Sequence, residues 1–158
     1  MSVVVSDAGP IHYLVLTDLE FVLPAIFGTV IIPEGVALEL KSSCTPEKVS
    51  MWMLSPPSWV EVQVVVTSAS FQGLGRGETE AIVAARAMGA KLLVDDLRAR
   101  KMAIALGLEV TGTIGILLQA RDLGLINFAQ SISRLRETNI HLSPQLLRWV
   151  ESLDNSQG

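Results

Sequence analysis

The chain has 158 residues and a single cysteine, Cys44, so no internal disulfide can form. That fits a reducing compartment, and a cytoplasmic location is expected. No histidine lies near Cys44 in sequence, so it reads as a buried or idle thiol, not a nucleophile. No apolar run reaches the roughly 18 residues of a membrane span, and no membrane contact is expected. The opening MSVVVSDAG lacks a basic n-region and a long apolar stretch, so no secretory signal is expected. Histidine is scarce as well: His12 and His141 lie far apart, outside any ligand-like spacing, and read as structural or exposed. Lysine and arginine are missing from Met1 to Leu40, a stretch that holds Asp7, Asp18, Glu20, Glu34 and Glu39.

What is present points to a folded domain. Hydrophobic residues make up 49% of the chain, which argues against disorder. The length suits one domain with one sizeable core, taken as residues 1–153 with a frayed tail at 154–158. The net charge of −4 argues mildly against a protein that coats nucleic acid. Its distribution is uneven. Arg76, Arg86, Lys91, Arg98, Arg100 and Lys101 outnumber the acids between Arg76 and Lys101, so a local phosphate-binding face remains open.

Along the chain, strands alternate with helices. SVVVS, TVIIP, WVEVQVVV, KLLV and LEVTG read as strands, four of them short and largely apolar. DAGP reads as a turn. IHYLVLTDLEFVLPAIFG reads as helical in one or two pieces, with Pro24 at a joint or in a first turn. EGVALELKSSC reads as a helix, and so does TPEKVSMWML, with Thr45 as its N-cap and Pro46 at its first position. ETEAIVAARAMG is a helix stopped by Gly89, DDLRARKMAIALG one stopped by Gly107, and TIGILLQARDLG one with Thr113 as a possible cap. Two more follow, capped by Asn127 and Ser143. Apolar strands between helices are the pattern of a parallel sheet covered on both faces. In such α/β sheets the functional crevice lies beyond the carboxyl ends of the strands.

Acids fall at those ends. Asp7 directly follows the first strand, and Asp95 and Asp96 directly follow KLLV. Glu78 opens the helix after the loop TSASFQGLGRG, with Glu80 two residues on, and Glu39 sits on the helix after the second strand. Carboxylates that converge without balancing bases form the ligand set of hard divalent cations. A plain reading exists for each. Asp7 suits a turn or a cap, Glu78 and Glu80 suit a helix macrodipole, Glu39 suits a solvated face, and one of Asp95 and Asp96 suits an N-cap. The combination is more specific than its parts. GLGRGE, between a strand and a helix, is not a nucleotide cradle: it lacks G-x-G-x-x-G and a P-loop Lys-Ser/Thr, and it puts Glu78 where a phosphate would lie. Gly9 stands two residues after Asp7, where a phosphatase-like site would need a second Asp. MWMLSPPSW reads as core packing, with a dimer surface or a partner groove as the alternative.

Four blocks, VVVSDAGP, VIIPEGVALEL, GLGRGETEAIVAARAMGAKLLVDDLRARKMAIALGL and VTGTIGILLQARDLGLI, resemble the PIN-domain nucleases from about Val3 to about Leu147. Their nearest likeness is to the toxin-like bacterial and archaeal branch found beside small antitoxin genes. The resemblance implies a three-layer α/β/α fold with a central, mostly parallel sheet. It implies Mg²⁺- or Mn²⁺-dependent endonucleolytic hydrolysis of RNA phosphodiesters, a small antitoxin partner and a homodimer. It also implies an acidic set of Asp7, Glu39, Glu78 and Asp96, with Asp95 and Glu80 as rivals for the last two places. Flanking Arg76, Arg98, Arg100 and Lys101 would then grip the RNA backbone. The sequence departs from the family pattern at Ala8 and Val94, where Ser or Thr is common, and at Glu78, which is usually Asp. Ser6 is the expected stand-in for the hydroxyl missing at Ala8. A catalytically weak PIN fold that binds RNA or regulates a partner is the competing expectation.

Overall fold

A computed structural model describes residues 2–155. Five strands form one sheet in the order β3-β2-β1-β4-β5, and every neighbouring pair is parallel. In chain order they are β1 (Val3–Ser6), β2 (Thr29–Pro33), β3 (Val60–Gln63), β4 (Lys91–Leu93) and β5 (Val110–Thr111). Between and after them run α1 (Ala8–Leu16), α2 (Val22–Ile26), α3 (Glu34–Leu40), α4 (Glu47–Leu54), α5 (Arg76–Met88), α6 (Leu97–Ala105), α7 (Thr113–Asp122), α8 (Phe128–Arg136) and α9 (Pro144–Asn155). The result is the three-layer α/β/α architecture expected from the alternation of elements. Among the described residues, no helix is long and apolar enough to cross a membrane.

The central strands are buried because both faces are covered. Val4, Val5, Val30, Ile31, Ile32, Leu92 and Leu93 are all almost fully buried. β1 sits in the middle, with Val5 opposite Ile31 on one side and Leu92 on the other. Helix α5 packs on β1, β2 and β4 through Ala81, Ile82 and Ala85. It ends at Gly89, whose φ of 61° is the left-handed conformation that favours glycine at a helix terminus. Burying these side chains contributes about 1.5–3 kcal/mol for each large aliphatic residue.

Several boundaries differ from the sequence reading, each for a physical reason. DAGP is no separate turn: Asp7 is the N-cap of α1, so β1 runs straight into a helix. WVEVQVVV pairs only over Val60–Gln63, because its neighbour β2 ends at Pro33, opposite Gln63. Beyond that register Val64 and Val66 stand exposed. Thr45 does not cap α4; its hydroxyl donates to Glu39 O at 2.9 Å, closing α3, and Pro46 occupies the cap position. Thr113 is the first residue of α7, not its cap, which is Gly112. Cys44 is exposed, not buried. Helix α9 runs to Asn155, so it takes in the first two residues of the expected tail; the rest of that tail lies outside the described residues. The MWMLSPPSW segment divides: Trp52 packs against Trp59 and Met53 is buried, while Met51 and Leu54 face solvent.

Candidate active site

The acids predicted to matter are delivered by four different elements to the carboxyl side of the sheet. Asp7 leaves β1 and starts α1; Glu39 lies in the last turn of α3; Glu78 lies in the first turn of α5; Asp95 and Asp96 link β4 to α6. Two glycines let α3 and α5 approach closely. A Cβ on Gly77 would lie 3.2 Å from Glu39 Oε2, and one on Gly35 would lie 2.7 Å from Glu80 Oε2. Side chains at either place would push the helices apart and separate Glu39 from Glu78.

Asp7 is the pivot. Its carboxylate is 5% exposed, and Oδ1 is buried without a hydrogen-bond partner. Burial pushes its pKa up to about 7, and repulsion from Glu78, Glu39 and Asp96 adds to the shift. The backbone N–H of Ala8 acts in the opposite direction. Glu39 is also raised, first by desolvation and then by repulsion from Glu78. These couplings bring Asp7, Glu39, Glu78 and Asp96 into one electrostatic group. Among the described residues none of the four forms an ion pair, although Lys48–Asp18, Arg76–Glu34, Arg76–Glu80 and Arg121–Asp122 pairs exist elsewhere.

The two rivals fall outside that group. Glu80 is buried and fully engaged: Oε1 accepts the Gly35 N–H at 3.0 Å and Oε2 accepts Arg76 Nε. It ties α5 to the start of α3. Asp95 turns toward α7, where Oδ1 accepts the Thr113 N–H at 2.7 Å and Oδ2 accepts the Thr113 hydroxyl at 2.6 Å. Gly9 and Gly112 leave room for it, since a Cβ at Gly112 would come 2.8 Å from Asp95 Oδ1. Thr113, a possible cap by its place in the sequence, is instead the anchor of Asp95, a contact that no local pattern signals.

Among the described residues no three His, Cys, Asp or Glu side chains are gathered closely enough to hold a metal ion. The reason is local. Glu78 Oε2 accepts the Gly75 N–H at 2.7 Å, closing a capping box, and Asp96 Oδ2 accepts the Ala99 N–H at 2.9 Å as the N-cap of α6. Each leaves one carboxylate oxygen for another partner. Ser6 does not serve the Asp7 carboxylate either; its hydroxyl donates to the Asp7 backbone carbonyl at 2.9 Å.

The basic residues proposed to contact RNA separate in the same way. Arg76 is held by Glu80 and Glu34, so its charge is already compensated within the fold. Arg100 donates to Val94 O at 3.1 Å, helping to fasten the β4–α6 junction. Arg98 reaches across to the loop before α5, where a Cβ on Gly73 would lie 2.9 Å from its guanidinium. Arg98 and Lys101 are exposed on α6. Among the described residues, neither of these two forms an ion pair.

Comparison with known proteins extends the geometry. A family profile described as a PIN domain matches residues 3–155. Among solved structures, a PilT N-terminus domain protein from the hyperthermophilic archaeon Sulfolobus solfataricus P2 superposes with a TM-score of 0.51 at 16% sequence identity, covering 90% of this chain and 100% of that one. At that identity the likeness concerns the fold. No curated protein matches the sequence significantly.

Proposed function

The chain belongs to the PIN-domain family, whose members are generally nucleases, and on that footing we propose that it is a Mg²⁺- or Mn²⁺-dependent endoribonuclease. The observation that carries the reading is Asp7: a carboxylate buried at the end of the central strand, with one unpartnered oxygen, beside three further acids that, among the described residues, form no ion pair. Such an arrangement is unfavourable for a resting protein and suits one that binds a hard cation. Asp7, Glu39, Glu78 and Asp96 would hold the ion, their carboxylate oxygens being the right donor type. When bound, such a cation lowers the pKa of a coordinated water and offsets charge on the scissile phosphate.

The residues of the chain do the rest. Asp7 would have to be ionised to serve as a ligand, which would link cation uptake to pH. Glu78 and Asp96 would contribute the oxygen that their capping bonds leave over. Arg98 and Lys101 orient the RNA backbone from the side of α6. Glu80 and Asp95 keep α3, α5 and α7 in register around the acids.

The proposal extends to a role as the toxin of a toxin–antitoxin pair, acting as a homodimer opposed by a small antitoxin. The four sequence blocks support it by their likeness to that branch. A second reading has its own observation behind it. Glu78 and Asp96 each spend an oxygen on a backbone N–H, and no three ligands are gathered, which favours a weakly active PIN fold that binds RNA or a regulatory partner.

One assay separates the two. Wild type and Asp7→Asn are incubated with structured and unstructured RNAs in Mg²⁺ or Mn²⁺. Cleavage by the wild type alone, leaving 5′-phosphate ends, supports the nuclease; equal cleavage by both proteins would overturn it. Growth arrest on expression, relieved by Asp7→Asn and by a co-expressed neighbouring small gene, tests the toxin role.

A further inference from the structure

A cleft of about 530 Å³ opens at the free edge of the sheet, beyond the carboxyl end of β5. Its volume falls in the range of about 300–1,000 Å³ typical of small-ligand sites. Asp95, Leu97 and Arg100 line it, so it shares the β4–α6 junction with Asp96, although none of Asp7, Glu39, Glu78 and Asp96 lines it. Its floor is made by Gly112 and Gly115 at the start of α7, and its far wall by α9.

The orientation of α9 is the telling feature. The helix seats on the core through Val150, 4% exposed, and Leu146, while Trp149 lines the cleft and remains 47% exposed. A large aromatic that lines a cavity and stays half in solvent is available to stack on a ligand. Ile114 and Leu118 add apolar lining. Its polar side chains are the Arg100 guanidinium, which spends one donor on Val94 O, the Gln119 amide, the His141 imidazole, the Thr111 hydroxyl and the Asp95 carboxylate, the last already bound to Thr113. An aromatic platform, apolar walls and a small set of hydrogen-bonding groups are the means by which proteins hold an unstacked base.

We propose that this cleft receives one unpaired nucleobase of the RNA substrate, stacked on Trp149 and read at its edge by Arg100 and Gln119. The inference rests on the ribonuclease reading, because the β4–α6 junction that lines the cleft also carries Asp96, so a base held here would bring its strand toward the acids that would hold the cation. It names the substrate class more closely: a base in a duplex is stacked on both faces and paired at its edge, so only a single-stranded or bulged nucleotide fits. The cleft would thus act as the specificity pocket beside a sequence-neutral cleavage centre.

The test uses the full-length Asp7→Asn protein with EDTA, titrated with a short oligoadenylate and, separately, with a blunt duplex containing the same strand. Binding is followed by tryptophan fluorescence and by anisotropy of labelled RNA. The single strand is expected to quench fluorescence saturably and to bind more tightly than the duplex. Adding Trp149→Ala should weaken the single strand roughly tenfold, the scale of one base–aromatic stack, and Trp149→Phe should restore most of the loss. In the otherwise wild-type protein, Trp149→Ala should raise KM for a single-stranded substrate and leave kcat largely intact. Equal affinity for strand and duplex, or equal affinity with and without Trp149, would overturn the pocket even if the enzyme cleaves RNA. Absence of cleavage by wild type would overturn the nuclease reading, while Trp149-dependent capture of the single strand would still uphold the pocket.

Discussion

Glu78 and Glu80 stand two residues apart at the start of one helix and live under opposite conditions. Glu80 is sealed in and has every oxygen matched, by a backbone N–H of α3 and by Arg76 one turn earlier. Glu78 faces the other way, toward Asp7 and Glu39, and meets only like charge there. The same contrast divides Asp95, fastened twice to Thr113, from Asp7, which has an oxygen left over. Burial alone therefore does not identify a reactive acid. A buried carboxylate with matched donors holds the fold together, whereas a buried carboxylate among other carboxylates makes the fold less stable and is retained for something else.

The sharpest way to break this contrast is Asp7→Asn. Loss of a charged ligand should lower metal-dependent RNA cleavage by about a thousandfold, the rate equivalent of several kcal/mol of lost charge stabilisation. Single-turnover rates at saturating Mg²⁺ check this, and a variant within tenfold of wild type would place Asp7 with the structural acids. The same substitution probes stability. Asp7 has a pKa of about 7 when folded and 3.8 as its ordinary value, so the protonated form is the one the fold favours. The favourable term is complete below pH 4 and is lost as pH rises through 7, a change of at most roughly 4 kcal/mol. In metal-free buffer, the urea midpoint of wild type relative to Asp7→Asn should fall across that window; a pH-independent difference would refute the assignment.

Glu80→Ala tests the other side. It leaves the Gly35 N–H and Arg76 without their acceptor and should cost about 2–3 kcal/mol in denaturant unfolding. A loss below about half a kcal/mol would mean that the α3–α5 tie is dispensable. The smallest expected effect on stability belongs to Asp96→Asn. Asparagine caps a helix as well as aspartate does, so stability should stay within about 0.5 kcal/mol, while affinity for Mn²⁺ or Mg²⁺ drops about tenfold or more. Unchanged metal affinity, measured by calorimetry, would shift the ligand role to Asp95.

Much of this was legible before any coordinates. The apolar runs of β1, β2 and β4 and the glycine stop of α5 are local signals, and they mark the alternating α/β pattern. Asp7 and the Asp95–Asp96 pair were visible because they abut those strands. What escaped was non-local. The length of β3 depends on where β2 ends, and Thr113 meets Asp95 across a helix and a strand. The choice between Glu78 and Glu80 was partly available, since residues two apart on a helix face different directions and Arg76 lies at the i,i+4 position favourable to Glu80. The side that each glutamate takes, however, depends on Gly35 and Gly77 in the α3–α5 contact.

The central position of β1 has a consequence for how the protein is made. Synthesis produces this strand first, yet its partners arrive in two instalments, β2 from Thr29 and β4 from Lys91. Parallel pairing through crossovers has to wait for distant chain, which makes assembly slow relative to local structure. Asp7 must wait longest: the acids around it are complete only once Asp96 has left the ribosome. A nascent chain thus carries the Asp7 carboxyl with no finished cluster around it until Asp96 has emerged, and the electrostatic cost of gathering these acids falls late in folding.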